Sequence, residues 1–112
     1  MGLLDRLVTP SVDARSACEA ATNGEVLLLD VREPDEFAAG RAAGSMNIPM
    51  SLLAARAGEL SPEQRYITVC RSGARSRAAT IRLRSRGIKT LNMKGGLKAW
   101  VLVGLPVEGE IV

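Results

Sequence analysis

The chain has 112 residues, which is enough for one folded domain. Apolar residues make up 46% of it, more than is typical of a disordered chain. Its net charge of +3 is unevenly distributed: the segment from Arg65 to Val107 contains ten Lys or Arg and no acid, whereas the rest of the chain sums to −7. No apolar run reaches the ~18 residues of a membrane span, and the N-terminus lacks the apolar core of a secretory signal. We expect one cytoplasmic domain over residues 1–112, with its core at about 11–106, and no membrane partner.

The chain contains no histidine and only two cysteines, Cys18 and Cys70. This set provides neither a disulfide framework nor enough soft ligands for a zinc site. It also excludes Cys–His and Ser–His catalytic pairs, so a nucleophile would have to be activated by backbone dipoles and arginines. We expect no metal and no cofactor.

The first predicted element is a helix near the N-terminus. Residues 9–11, with proline in the middle, are typical of a helix start that Thr9 or Ser11 caps. Small apolar residues then recur at helical spacing and mark a buried face; they are Ala14, Ala17, Cys18 and Ala21. Because Cys18 lies on this face, we interpret it as a core residue.

The following segments predict strands that alternate with helices. Residues 26–31 are continuously apolar, as in a central parallel strand buried on both faces. Further strands are predicted at 66–69 and 89–93, a short extended piece at 47–49, and helices at 34–38, 51–57, 76–86 and 97–102. This alternation, with short connections, favours a single α/β domain in which helices flank a mostly parallel sheet on both faces.

The most informative stretch is residues 66–76, where an apolar strand ends in Cys70 and a loop of small residues and arginines leads into a helix. Ligands bind at the carboxyl ends of strands in open α/β sheets. The helix N-terminus offers unpaired N–H groups and a positive dipole, which would lower the pKa of a thiol. A cysteine here can also be only a small buried hydrophobe. Because core packing would not select Arg71 and Arg75, we favour a reactive thiol.

The helix after this loop has an apolar side and a basic side. We expect Ala78, Ile81 and Leu83 to face the core. Its arginines, Arg82, Arg84 and Arg86, are interpreted as a solvated face, although the basic segment would also draw a small anion toward the loop. No aromatic residue lies between Arg71 and Lys98 to stack a base, so we expect no nucleic-acid partner.

Four motifs follow one another along the chain. They are DVREPDEF at 30–37, GSMNIP at 44–49, CRSGARS at 70–76 and GGLKAW at 95–100, with GLP behind the last at 104–106. In this order and spacing they resemble the rhodanese homology domain in its single-domain sulfurtransferase form. The resemblance covers residues 11–106 and implies a rhodanese-like α/β fold.

The resemblance also implies a persulfide mechanism in which Cys70 is the catalytic nucleophile. Cys70 would take the outer sulfur of thiosulfate, or of a similar small anionic donor, and sulfite would leave. Cyanide, a small thiol or a protein thiolate would then accept the sulfur. Backbone N–H groups from Arg71 to Arg75 would hold the anion, Arg71 and Arg75 would attract the donor, and Ser76 would add a hydroxyl hydrogen bond. The implied substrate-binding residues are Arg71, Ser72, Gly73, Ala74, Arg75 and Ser76.

Asp30 and Arg32 match an aspartate and an arginine that this family has near its active loop. We expect Arg32 to pair with a nearby acid such as Glu36, and Asp30 to brace the loop backbone. Whether they also act in catalysis stays open. One departure from the family pattern is Arg41, which follows Gly40 where the family usually has a histidine, and it bears on local packing more than on chemistry.

Two other functions remain as alternatives. A phosphatase or arsenate reductase on this fold would need a cysteine, five residues and then an arginine, whereas here Arg75 comes after four residues and Ser76 after five. The shorter loop suits a small sulfur anion better than a tetrahedral phosphate. A non-catalytic interaction module is the second alternative, although such modules often lose the cysteine and this chain keeps Cys70.

Overall fold

Seven strands and five helices make up the part of the chain that the structure, a computed structural model, describes, namely residues 9–111. The strands are β1 (Ser11–Val12), β2 (Leu27–Asp30), β3 (Gly40–Ala42), β4 (Met46–Asn47), β5 (Arg65–Val69), β6 (Lys89–Met93) and β7 (Val107–Gly109). The helices are α1 (Ala14–Thr22), α2 (Pro34–Ala39), α3 (Met50–Arg56), α4 (Ala74–Arg84) and α5 (Gly96–Leu102), with a short 3₁₀ turn at Ala57–Glu59.

Five of these strands form one parallel sheet in the order β1–β6–β5–β2–β4. Alternate residues of β2 point to opposite faces, so Leu28 packs with α1 and α5 while Leu29 packs with α3 and α4. The predicted α/β fold with helices on both faces of a mostly parallel sheet is therefore confirmed. Within residues 9–111, every helix is too short or too polar to cross a bilayer.

The predicted start of the first helix is wrong. Ser11 and Val12 form an edge strand that pairs with Asn92 and Met93 of β6. The helix begins only at Ala14, and its N-cap is Asp13, whose Oδ1 accepts a hydrogen bond from Ser16 N–H at 2.8 Å. Sheet pairing thus overrides a local capping signal, and Asp13 supplies the cap a few residues later.

The predicted buried face of α4 is also wrong in part. Ile81 is 51% exposed, whereas the helix buries Ser76, Ala79, Thr80 and Leu83. The Thr80 hydroxyl contacts the Thr68 hydroxyl of β5 and donates to the Ser76 carbonyl at 2.8 Å. An apolar pattern fails here because half of the buried face consists of small hydroxyl side chains that find hydrogen-bond partners inside.

A second, two-stranded sheet was not predicted from the sequence, because its strands are only three residues long. β3 and β7 pair antiparallel, opposing Arg41 to Glu108. Arg41 Nη1 donates to the Phe37 carbonyl at 3.2 Å, its Cζ lies 5.1 Å from the Phe37 ring centroid, and its Nη2 lies 3.6 Å from Glu108 Oε2. The arginine that departs from the family pattern is therefore well accommodated.

Trp100 and Cys18 both contribute to the core on the α1 and α5 side. Trp100 is 2% exposed and its Nε1 donates to the Pro106 carbonyl at 2.8 Å, which confirms its interpretation as a core residue. Cys18 is half-buried and packs against the edge of the same core cluster.

The polar face of α4 generates a stability prediction. Replacing Thr80→Val keeps the shape but removes buried hydrogen bonds, so we expect a loss of about 1–2 kcal/mol in the free energy of unfolding. Replacing the exposed neighbour Ile81→Ala should change it by no more than ~0.5 kcal/mol. Urea denaturation of both variants tests this, and a larger loss for Ile81→Ala would contradict the packing described.

Candidate active site

Cys70 directly follows β5 and lies beneath the N-terminus of α4. Gly73, the N-cap of that helix, has φ = +99°, a value that lets the chain reverse sharply and turns the amides of the loop inward. Gly73 N–H lies 3.1 Å and Ser76 N–H 3.3 Å from Cys70 Sγ, and both donate to it. The Ser76 hydroxyl oxygen also lies 3.3 Å from Sγ, within reach to donate its single proton to a thiolate. The sulfur thus lies inside a half-ring of hydrogen-bond donors.

The ionisation of Cys70 is set by two opposing effects. The residue is only 1% exposed, and this burial disfavours the thiolate and by itself raises the pKa. The hydroxyl and N–H of Ser76, with the N–H groups of Gly73 and Ser72, favour the thiolate and outweigh burial, so the pKa of Cys70 is lowered from its ordinary value. This arrangement stabilises a buried anion on the sulfur.

The side chains of several predicted loop residues lie at the surface, and only some of the loop amides face the sulfur. Arg71, Ser72 and Ala74 are exposed, and Ala74 N–H donates to Ser72 Oγ at 3.4 Å instead of turning to the sulfur. Of the amides expected to face the sulfur, those of Ser72 and Gly73 donate to it, and the amide of Ser76, which was not expected, does so as well.

The turn at Gly95 and Gly96 supports the loop from behind. Helix α5 starts here, and its Leu97 N–H donates to the Cys70 carbonyl at 2.9 Å. A Cβ atom on Gly96 would lie 2.5 Å from the Arg71 carbonyl oxygen and 2.6 Å from that of Cys70. The prediction that these glycines form a turn is confirmed, but the sequence did not reveal that the turn packs directly against the cysteine loop.

Arg32 was expected to pair with a nearby acid such as Glu36, and the acid that it contacts in the structure is Asp30. Arg32 pairs with Asp30 at 2.8 Å, not with the Glu36 carboxylate, because Asp30 is fully buried and an uncompensated charge there would be costly. Arg32 also donates to the carbonyls of Glu36 and Gly40, at 3.3 and 2.6 Å. Asp30 accepts the Arg32 N–H at 2.9 Å, so its bonds in the structure brace the end of β2.

Glu36 instead receives two hydrogen bonds from Arg75, at 2.7 and 3.0 Å. These bonds, chiefly, lower the pKa of Glu36 from its ordinary value to about 2. The Arg75 side chain is 40% exposed and that of Glu36 30%, so the pair lies at the surface beside the loop. Much of the positive charge expected from Arg75 is therefore neutralised.

Asn92 is a site residue that the sequence reasoning missed. It is 6% exposed on β6, its Oδ1 lies 2.6 Å from Ser76 Oγ, and its Nδ2 donates to the Gly73 carbonyl at 3.3 Å. It therefore contacts two of the residues that donate to the sulfur, Gly73 and Ser76. A polar residue inside a predicted buried strand, next to the strand that carries the cysteine, is the signal that could have found it.

Comparisons with known proteins agree with this geometry. Residues 13–102 match a family model described as Rhodanese-like domain. A sulfurtransferase of Allochromatium vinosum is 37% identical over 98 residues, which cover 86% of this chain and 92% of that protein. Thiosulfate sulfurtransferase 16, chloroplastic, of Arabidopsis thaliana is 33% identical, with coverage of 71% and 78%. The crystal structure of a rhodanese-related protein from Thermoplasma volcanium matches with a TM-score of 0.84 and 35% identity, covering 90% of this chain and 99% of that one.

The support behind the loop gives a prediction with a matched control. Gly96→Ala should displace the loop, reduce stability by about 1–3 kcal/mol and slow alkylation of Cys70 by iodoacetamide. Gly104→Ala carries a similar backbone strain, at φ = +73°, but its Cβ has no atom within 4 Å. It should therefore lose stability without slowing alkylation. Equal alkylation rates in the two variants would contradict the proposed contact.

Proposed function

Because the chain belongs to the rhodanese-like domain family, we propose that it is a sulfurtransferase that carries a sulfane sulfur as a persulfide on Cys70. The observation that carries this proposal is the set of donors around Cys70 Sγ, with Gly73 N–H at 3.1 Å and the N–H and hydroxyl of Ser76 at 3.3 Å. Relatives named sulfurtransferases, similar over most of both chains, support the reaction class.

The proposed reaction has two half-reactions. The Cys70 thiolate attacks the outer sulfur of thiosulfate or a similar donor, the sulfur–sulfur bond of the donor breaks, and sulfite leaves with the bonding electron pair. The new persulfide carries its negative charge on the terminal sulfur. A nucleophilic acceptor, such as cyanide, a small thiol or a protein thiolate, then takes that sulfur and returns the Cys70 thiolate to its donors. Neither step requires a proton shuttle, which suits a chain without histidine.

The charges beside the loop modulate entry of an anionic donor. Arg71 is exposed next to Cys70 and adds positive charge at the loop. Arg75 lies on the first turn of α4, but Glu36 holds it through two hydrogen bonds. In this proposal Glu36 weakens the attraction for a doubly charged donor, and the pair stays ionised at ordinary pH because the pKa of Glu36 is about 2.

The phosphatase alternative is less well supported by this geometry. Ser76 stands where such a loop would have its arginine, and its hydroxyl lies 3.3 Å from the sulfur. Arg75 extends instead to Glu36. The non-catalytic alternative does not account for the donors around Cys70 Sγ, since a structural cysteine packs as a small apolar residue and needs no stabilisation of its thiolate.

Mass measurement tests the persulfide. After incubation with thiosulfate and removal of excess reagent, the intact wild-type protein should gain the mass of one sulfur atom. Cys18→Ser should gain it too, whereas Cys70→Ser should not, because the acceptor thiol is missing. Retention of the gain in Cys70→Ser, or no gain in wild type with any sulfane-sulfur donor, would overturn the proposal.

Kinetics with thiosulfate test the ion pair. Glu36→Gln should lower KM and Arg75→Ala should raise it, each by about fivefold or less, the effect of roughly 1 kcal/mol from a screened surface charge. Both effects should shrink at high salt. Arg82→Ala, which removes an equal charge from an exposed position farther along α4, is the control and should leave KM unchanged. Shifts of KM in the same direction for Glu36→Gln and Arg75→Ala would contradict this role.

A further inference from the structure

Asn92 links Gly73 and Ser76, two of the loop residues whose N–H groups donate to Cys70 Sγ. From the neighbouring strand β6, its amide contacts the Gly73 carbonyl through Nδ2, at 3.3 Å, and the Ser76 hydroxyl through Oδ1, at 2.6 Å. Asn92, Ser76 and Cys70 are 6%, 0% and 1% exposed, so bulk solvent has little access to this chain of contacts. The arrangement is a buried line of three polar groups that ends at the nucleophile.

The chemistry of these groups fixes the direction of the hydrogen bonds. The Gly73 carbonyl can only accept, so the amide of Asn92 must present Nδ2 to it and Oδ1 to Ser76. Because Oδ1 has no hydrogen, Ser76 must be the donor in the 2.6 Å contact. A serine hydroxyl has a single proton, and Cys70 Sγ lies 3.3 Å from the same Ser76 oxygen as a second acceptor. The Ser76 proton therefore serves either Asn92 or Cys70, but not both at once.

We propose that Asn92 is a positioning residue whose amide oxygen competes with Cys70 Sγ for the single hydroxyl proton of Ser76, so that Ser76 donates to Sγ only when Sγ itself carries the negative charge. The inference rests on the proposed function in one respect, since it assigns the persulfide one of the two positions of the proton.

Each state of the cysteine places the proton differently. When Cys70 is a neutral thiol, its S–H donates to Ser76 Oγ and the Ser76 hydroxyl donates to Asn92 Oδ1. When Cys70 is a thiolate, the Ser76 proton turns to Sγ and leaves the Asn92 oxygen. When the persulfide forms, the charge moves outward to the terminal sulfur and Sγ becomes a weak acceptor. The Ser76 hydroxyl then donates to Asn92 Oδ1 again.

Because of this competition, Asn92 destabilises the thiolate form of Cys70 relative to the persulfide form. Without the amide oxygen, the Ser76 hydroxyl would donate to the thiolate at no cost, and the free enzyme would be stabilised relative to the sulfur-loaded one. Asn92 would thus help the site to accept sulfur, although it does not touch the reacting atoms.

The direct test measures the pKa of Cys70 from the pH dependence of its alkylation by iodoacetamide, in a Cys18→Ser background. Asn92→Leu keeps a similar volume but removes the acceptor, and it should lower this pKa by about 0.5–1 unit, the range expected for one hydrogen bond. Ser76→Ala should raise it. In the presence of Ser76→Ala, the change Asn92→Leu should no longer lower the pKa, because the shared proton is gone.

The double variant separates this proposal from a purely structural role. If Asn92 acted only by holding the Gly73 carbonyl, Asn92→Leu would shift the pKa equally with and without the Ser76 hydroxyl, and that result would overturn the proposal. An unchanged or raised pKa in Asn92→Leu alone would also overturn it. The charged groups beside the loop, namely Arg71, Arg75 with Glu36, and the Asp30–Arg32 pair, are the same in all four proteins and cancel from the comparison.

Two additions keep the outcome decisive. Thermal unfolding verifies that each variant is folded, and Asn92→Ala replaces Asn92→Leu if the larger side chain is not tolerated. Sulfur loading at a fixed ratio of thiosulfate to sulfite should be lower in Asn92→Leu than in the Cys18→Ser parent. If no variant loads sulfur, the proposed function fails, whereas the alkylation results still decide whether Asn92 and Cys70 share the Ser76 proton.

Discussion

The site depends on the stabilisation of a negative charge on a buried sulfur by neutral donors. Cys70 is almost inaccessible, and burial alone would keep it protonated and inert. The N–H groups of Gly73 and Ser76 and the Ser76 hydroxyl reverse this effect. The short loop between β5 and α4 makes the arrangement possible, because β5 ends at Val69, α4 begins at Ala74 and Gly73, with its positive φ, turns the chain just before the helix.

Neighbouring elements hold this loop in place through its backbone. The N-terminus of α5 donates to the carbonyl of Cys70. Cys70 therefore accepts hydrogen bonds from two helix N-termini, from α5 at its carbonyl oxygen and from α4 at its sulfur. Gly96 is required there because its Cβ would collide with the loop. On the surface, the Arg75–Glu36 pair limits the positive charge that an incoming anion meets. The loop backbone is thus held by hydrogen bonds and close packing, and part of its positive charge is neutralised by Glu36.

Structural elements formed by adjacent residues could be predicted from the sequence, whereas contacts between residues far apart in the chain could not. The apolar strand, the glycine loop and the following helix place Cys70 correctly because they are adjacent in the chain. The partner of Arg75 lies 39 residues away, and nothing in the local sequence distinguishes Glu36 from the other acids as that partner. Asn92 was missed for the same reason, since its role appears only when β6 lies beside β5. Ile81 was predicted to be buried but is exposed, because an apolar residue on a helix need not face the core of the protein.

The central claim is that the fold favours the thiolate of Cys70 over the thiol, despite burial. The most direct measurement is the ultraviolet absorbance of the thiolate across a pH titration of the Cys18→Ser protein, folded and in denaturant, after subtraction of the same protein lacking both thiols. We predict that Cys70 ionises at a lower pH in the folded protein than in the denatured one. Ionisation at the same or a higher pH in the folded protein would contradict the account.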